Sequence, residues 1–470
     1  MNSFTRPVGR LARRRTLLGA TALVGALSVA LVGCADAGAS STSGSSSSSA
    51  SVAGLSSTLT AAASKRASTI TGGKKIGGTV TMVGTLGGTE KERFLATLKP
   101  FEDATGITVD YTGTEDYTTV IQSGVQAGNP PDVMAVSSLN MVQQYAKEGK
   151  LVDIGSLVGD STMSKNFTSG LLDSTTVNGK NYGIWTMLDN YAVYYNAKTY
   201  KGPKTGSWAD LMAYSKKEAA TGTTPWCLGL SSGSTTGWPG AYMILNQLLK
   251  QSGPTVTNAL SNGTGTWDSP EVKKAFQAFG AIATDSTMVA GGASGALSAD
   301  MATSGSGMYT TPQKCSLFEW GSYATSILLS ADTSLKPVTD VDFFSIPASD
   351  AKYADTEGYT GTITAAFSKS AATKAFLQYE ASSEAQSLIA ATGNWTAANT
   401  AVAASSYPNE ISKRVATQLL ENKDLVALPV TSIDPAVKAA LYTAVANYVQ
   451  NPSTLDADLK AIDTAQAAVK

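Results

Sequence analysis

From Thr79 onward, short β-branched runs alternate with stretches of helical periodicity, and this alternation restricts the fold more than any other feature. Thr79–Gly84 (Thr-Val-Thr-Met-Val-Gly) reads as a strand, followed by a helix opening at Thr89 with Glu92 three positions on as a capping box. Phe94, Leu95, Leu98 and Phe101 share one helical face, and Gly106 closes it. Ile107–Tyr111 and Asp132–Val136 are predicted as the next strands, and Leu139–Glu148 as a helix that stops at Gly149. A hairpin over Asn178-Gly179 precedes Tyr182-Gly183-Ile184, and Ala192–Tyr195 is a further strand. Ser207-Trp208-Ala209-Asp210 carries a second capping box, Trp226–Leu230 reads as a strand, and Ser269-Pro270 starts a helix with Ser as N-cap and Pro at N1. Strands are expected over 341–347 and 361–367; beyond about residue 370 the chain reads as almost wholly helical, one helix starting at Asp434-Pro435. Such alternation implies an α/β architecture. The roughly 395 residues from Ile76 on exceed what a single core usually supports, so two lobes are expected.

The first 33 residues belong to something else. They hold five arginines (Arg6, Arg10, Arg13, Arg14, Arg15) and no acid, and an uncharged stretch from Thr16 to Gly33 follows at once. A basic segment before a short apolar run is a secretory signal peptide. Arg14-Arg15-Thr16-Leu17-Leu18 fits a twin-arginine pattern, and Sec export reads nearly the same, so both routes stay open. The run ends in Leu31-Val32-Gly33-Cys34, similar to a bacterial lipobox; such signals are cleaved before the cysteine, whose thiol is acylated. An uncut anchoring helix is the alternative. Acyl chains contribute about 0.8 kcal/mol per buried CH₂, so two or more suffice for stable anchoring. Residues 35–60 are Ala, Ser, Gly and Thr almost throughout, a composition that cannot bury a core, so the whole of 34–75 is expected to be lipidated N-terminus and disordered tether.

Composition narrows the chemistry. Five of the 35 basic residues lie in the leader, leaving 30 against 36 acids, a mildly acidic body that argues against nucleic acid as a partner. Histidine is absent, which removes Ser-His-Asp and Cys-His nucleophiles and any His-ligated metal; no metal or cofactor is expected. With Cys34 assigned to lipid, Cys227 and Cys315 remain in an oxidising compartment, where a disulfide is expected over two free thiols.

Several segments, in order, resemble the extracellular solute-binding proteins of ABC importers, in particular the carbohydrate-binding branch. They are FEDATGITVDY (101–111), GNPPDVMAV (128–136), GKNYGIWTMLDNYAVYYNAKTY (179–200) and SWADL (207–211). TPWCLGLSSGSTTGWPGAY (224–242) and TPQKCSLF (311–318) look like the alpha-glucoside-binding members, which also carry a Cys in each matching segment. Where those members follow Gly-Trp-Pro with an acidic, Trp-containing run, this chain has Tyr242-Met243-Ile244-Leu245-Asn246. The resemblance implies a two-lobed periplasmic-binding-protein-like (type II) fold with a hinge, an inter-lobe cleft and a helical C-terminal part. It places the first lobe at 76–188, the second at 189–360, a return to the first over 361–400, and C-terminal helices over 401–470 packing mainly on the second. It further implies a monomer that captures a mono- or oligosaccharide, with alpha-glucosides among the candidates, for permease subunits at the outer face of the cell membrane.

A pyranose offers an apolar C–H face and a rim of hydroxyls, so it calls for aromatic platforms and for carboxylates or amides around its edge. Glu90 sits in the first turn after the first strand, where a cleft edge belongs, although a helix-start acid is equally a dipole partner. Asp116 follows the second strand, in a loop where a solvated acid is the stronger reading, and Ser138 and Asn140 follow the third. Asp189 occupies the place where an acid contacts sugar in maltose-binding relatives, flanked by Trp185, Asn190 and Tyr191; Trp185 could equally be core. Trp238 lies in the glycine-rich turn Gly233 to Gly240, with Tyr242 one turn on, and Asp189 and Trp238 are expected from opposite lobes. Trp320 and Tyr359 are further candidates that could equally be packing residues. The competing classes are a two-carboxylate glycoside hydrolase, the same fold carrying an oligopeptide or polyamine, and a purely structural lipoprotein.

Overall fold

The computed structural model describes residues 55–114, 116–421 and 424–469. The leader, Cys34 and residues 35–54 of the expected tether lie outside them. Among the described residues no helix is long and apolar enough to cross a membrane.

The strands in chain order are β1 (Thr79–Gly84), β2 (Thr108–Gly113), β3 (Val133–Val136), the hairpin strands β4 (Thr176–Val177) and β5 (Lys180–Asn181), β6 (Ile184–Asn196), β7 (Leu317–Gly321), β8 (Val341–Ser345), β9 (Thr356–Ala366), β10 (Thr396–Ala397) and β11 (Asp424–Ala427). Neighbours run β10-β6-β9-β3-β1-β2, with β7 and β8 on β6 and β11 on β9. β1 pairs parallel with β2 and β3, whereas β9 is antiparallel to both β3 and β6.

Two long strands carry the chain between lobes. In β6, residues 184–190 pair with β9, and from Tyr191 on the strand pairs with β7 and β8 instead. Its first half feeds a core with Val80, Met82, Phe94, Phe101, Val133, Phe376 and Leu388. Burying each large apolar side chain there contributes about 1.5–3 kcal/mol. In its second half, alternate side chains reach opposite faces. Tyr191, Val193 and Tyr195 enter a core with Trp226, Ile244, Phe276 and Leu441, while Ala192 and Tyr194 enter a smaller one with Cys227, Cys315, Phe318 and Trp320. β9 likewise joins β11 at its start and the first-lobe sheet at its end.

Local signals explain most boundaries. Ser207 and Asp210 form the expected capping box, and Ser269 and Asp434 cap helices with Pro at N1. Asn178 (φ 51°) and Gly179 (φ 76°) make the β4–β5 turn. Cys227 and Cys315, 88 positions apart, form the disulfide, a crosslink worth about 4–5 kcal/mol for a loop approaching 100 residues in the chain-entropy account.

Four expectations need correction. Order begins before residue 76: Ser57–Ile70 is a helix, capped by Ser56 and docked on the Gly88–Thr105 helix with Ala63 and Ala67 fully buried. Alanine's high helix propensity and small size allow this close docking without the large apolar stripe that sequence reading depends on. The helix after β1 starts at Gly88 with Gly87 as N-cap and no side-chain cap, so Thr89 and Glu92 form no capping box. Trp226–Leu230 is an extended stretch making isolated bridges rather than a strand, and the C-terminal part contains β10 and β11 among its helices.

Candidate functional site

A cavity of about 670 Å³ opens where the two lobes meet. The first lobe presents to it the residues at and just beyond the carboxyl ends of its strands: Thr85 and Leu86 after β1, Ser137 after β3, and Glu90 and Arg93 from the helix between β1 and β2. Asp189 and Tyr191 come from β6 at the point where it changes lobes. The second lobe adds Trp238, Tyr242, Met301, Tyr323 and Ile327. Strand ends in open α/β sheets are the usual place for a ligand.

The first-lobe edge is shaped by close packing at the β1 exit. The Leu86 N–H donates to the Tyr111 hydroxyl at 2.9 Å, and burial pushes that phenol up to about 12. A Cβ on Gly113 would lie 1.9 Å from the Leu86 carbonyl oxygen, so only glycine lets the two segments meet. The turn delivers Glu90 into the first helical turn, where burial raises its carboxyl above the usual range and Arg93 pulls it part of the way back. Arg93, one turn along, donates to the side-chain oxygen of buried Asn394.

Asp189 accepts a hydrogen bond from the Ser322 hydroxyl at 2.9 Å. Burial lifts its carboxyl from 3.8 to about 7, the Ser322 bond working against this and the Glu90 charge adding to it. Near neutral pH it is therefore poised between acceptor and donor. Because Asp189 lies on the crossing strand and bonds a second-lobe residue, it sits at the junction rather than squarely opposite Trp238.

Trp238 begins the Trp238–Ser261 helix, presented by Gly237 at φ 100°. A Cβ there would meet the Tyr442 carbonyl oxygen at 2.3 Å, so this turn requires glycine. The indole N–H of Trp238 donates to Ser232 Oγ at 3.1 Å, fixing the ring. Its ring lies 5.2 Å from Tyr242 and 5.3 Å from Trp320, and Tyr242 lies 5.1 Å from Tyr191, giving a continuous aromatic wall.

Glu90, Asp189, Trp238 and Tyr242 thus converge on one cavity. The other candidates do not line it. Asp116 is exposed ahead of the Tyr117–Gln126 helix and makes no side-chain cap. Ser138 is buried as an N-cap, accepting from the Met141 N–H at 3.3 Å. Asn140 lines a separate groove with Gln143, Ser261 and Ser432. Trp185 is core: its indole N–H donates to Ser174 and its ring meets that of buried Tyr359 edge-on at 5.4 Å. Trp320 is buried in the smaller second-lobe core behind Trp238. Asn190, next to Asp189 but alternating away from it, is fully buried with no partner for its amide among the described residues.

Sequence reading missed Arg93, Tyr323, Asn394 and Trp395, all in the cavity lining. Arg93 was recoverable, since it stands three residues beyond Glu90 and shares its helical face. Trp395 follows Gly393-Asn394 after a helix, a glycine-led turn like the one that presents Trp238.

Two α/β lobes joined by crossing strands, with a polar and aromatic cavity at their junction, define a cleft-type receptor for a small solute. The model of the bacterial extracellular solute-binding protein family matches residues 87–387, and the chain belongs to that family. It is 28% identical over 362 residues to the osmoprotective compounds-binding protein GgtB of Synechocystis sp., covering 76% of this chain and 84% of that one. It is 29% identical over 297 residues to the alpha-glucosides-binding periplasmic protein AglE of Rhizobium meliloti, covering 59% and 62%. Among solved structures, a chitin oligosaccharide binding protein superposes with a TM-score of 0.69 at 22% identity, over 83% of this chain and 99% of that one, a likeness of fold.

Proposed function

We propose that the protein captures a sugar in the inter-lobe cavity and delivers it to the permease of an ABC importer, held at the outer face of the cell membrane by lipid on Cys34. The observation that carries this reading is the meeting of carboxylates and aromatic faces in one cavity: Glu90 and Asp189 beside Trp238, Tyr242 and Trp395. Hydroxyls buried there find acceptors and donors, and the ring's C–H face finds an indole. The name of one relative, which binds alpha-glucosides, supports a sugar ligand, and that of another, which binds osmoprotective compounds, supports a small solute. In this reading 76–188 with 361–400, carrying the docked Ser57–Ile70 helix, and 189–360 with 401–470 move as two bodies about β6 and β9, closing over the ligand.

A thermal-shift screen against neutral mono- and oligosaccharides tests the ligand class. A cognate sugar at a hundred times its Kd adds about 2.7 kcal/mol to stability; no shift with any sugar refutes the reading. Glu90 and Asp189 line one cavity, so the competing hydrolase reading is tested by product analysis after prolonged incubation, which should find the sugar intact. For the anchor, Cys34→Ala should abolish acylation and release the protein from membranes; normal maturation and membrane partitioning of that variant would rule the anchor out.

A further inference from the structure

Two walls of the cavity hang from one short stretch of chain, and the disulfide closes that stretch. Met301 and Ala302 form part of the second-lobe wall, at the start of the segment leading from the Gly292–Ser298 helix to β7. At its near end the segment is tied to Ser231: the Ser231 N–H donates to the Ala299 carbonyl at 3.1 Å and the Met301 N–H to the Ser231 carbonyl at 3.2 Å. Asp300 Oδ1 holds the turn there, accepting from the Ala302 N–H, the Thr303 N–H and the Thr303 hydroxyl at 3.0–3.1 Å. At its far end the segment returns to the same stretch through the Cys315–Cys227 disulfide and a Ser316 N–H bond to the Pro225 carbonyl at 2.9 Å. Residues 225–232 also carry the platform: the Leu230 carbonyl accepts from the Gly237 N–H at 3.0 Å, and Ser232 holds the Trp238 indole.

Between these ends the segment packs through Met308, fully buried in the smaller second-lobe core, whose carbonyl accepts from the Asn196 side-chain amide at 3.0 Å. An open pocket of about 310 Å³ runs beside it, bordered by Trp226, Val289, Thr303, Ser306 and the two half-cystines. Gly307 sits so close to the bridge that a Cβ would lie 2.6 Å from Cys315 Sγ, so the chain folds directly onto the sulfurs.

We propose that the Cys227–Cys315 disulfide is a positioning element for ligand selection, fixing the Met301–Ala302 wall relative to the Trp238 platform so that the cavity keeps one width. This rests on the reading of the cavity as the ligand site. Without the bridge the segment keeps its bonds to Ser231 and Pro225 and its packing at Met308 but loses the covalent tie to the stretch that carries the platform, so the spacing of wall and platform rests on those weaker contacts alone.

The test is the Cys227→Ala/Cys315→Ala double variant of the mature protein, examined by hydrogen–deuterium exchange and by calorimetric titration with a panel of neutral sugars. Exchange over 299–310 should accelerate by about tenfold or more while 79–136 stays as in wild type. Affinity for the preferred sugar should fall by about fivefold, with the gap to the next sugar narrowing. A lower melting temperature with unchanged exchange over 299–310 and unchanged sugar ranking would show a bridge that only stabilises, and would overturn the proposal. If the double variant does not fold, Asp300→Ala decides: it frees the same wall with the bridge intact, and an unchanged sugar ranking counts against the proposal. If no sugar binds wild type, the sugar reading has failed, and the exchange rates over 299–310 alone decide whether the bridge positions the wall.

Discussion

The two lobes bring different chemistry to the cavity. The first contributes its charges, Glu90 and Arg93, with Asn394 and a single indole, Trp395. The second contributes Trp238, Tyr242, Tyr323, Met301 and Ile327 and, among the described residues, no charged one, while Asp189 stands at the junction. The difference follows from what forms each edge. The first-lobe rim is built from strand ends and a helix start, where the N-terminal dipole favours an acid such as Glu90. The second-lobe rim is a glycine-rich turn entering a helix, where large rings stack on one another over the core. If the proposed sugar sits here, it would meet charged partners chiefly from the first lobe and rings chiefly from the second, and binding would need both lobes.

That division can be broken piece by piece. Asp189→Ala should have the largest effect, weakening sugar binding some ten- to a hundred-fold in calorimetry, since a hydrogen bond to a charged group contributes about 1.5–3 kcal/mol. Trp238→Ala should cost about tenfold through lost aromatic contact area, and both unliganded variants should keep the wild-type fold by circular dichroism.

The pH dependence sharpens the junction's role. The Asp189 carboxyl is raised from 3.8 to about 7 by burial, so the fold favours its protonated form and loses that stabilisation as pH rises from about 4 to 7. A ligand hydroxyl donates best to the ionised form, so affinity should climb through pH 7, and Asp189→Asn should flatten the curve; a flat wild-type curve would remove Asp189 from the site.

Glu319 is the contrast inside the second lobe. It lies on β7 opposite Val193, buried, with neither carboxylate oxygen partnered among the described residues. Burial lifts it from 4.5 to about 8. Its folded form also holds the extra proton, so stability should fall as pH rises from about 4.5 to 8. Glu319→Gln should melt higher than wild type at pH 8, show little gain at pH 5, and bind sugar unchanged. Loss of binding in this variant would mean the second lobe does supply a charge to the ligand.

The alternation of strands and helices was legible because each element carries its own periodicity and caps, as at Ser207 and Ser269. The crossing strand was read as two pieces because its halves serve different cores, with the change at Asn190–Tyr191 that makes it a junction. The Ser57–Ile70 helix was invisible because it docks through alanines. At the site, residues fixed by local position (Glu90 at a helix start, Asp189 before a strand, Trp238 in its turn) could be read from the chain. Asn394 could not, and Trp395 left only its glycine-led turn as a signal, since the return of the chain to the first lobe brings them to the cavity from some 200 residues beyond Asp189. Trp185, Trp320 and Tyr359 share the residue type of a platform but point into packed cores, which one-dimensional position does not reveal.

The central claim is that a sugar binds between a carboxylate at the junction and an aromatic wall on the second lobe. Calorimetric titration of wild type and the Asp189→Ala/Trp238→Ala double variant at pH 8, with the best sugar from the thermal-shift screen, tests it most directly. Wild type should show saturable one-site binding, and the double variant should lose about a hundredfold or more in affinity at an unchanged fold. Saturable binding of equal strength in both proteins, or none in wild type, would contradict the account.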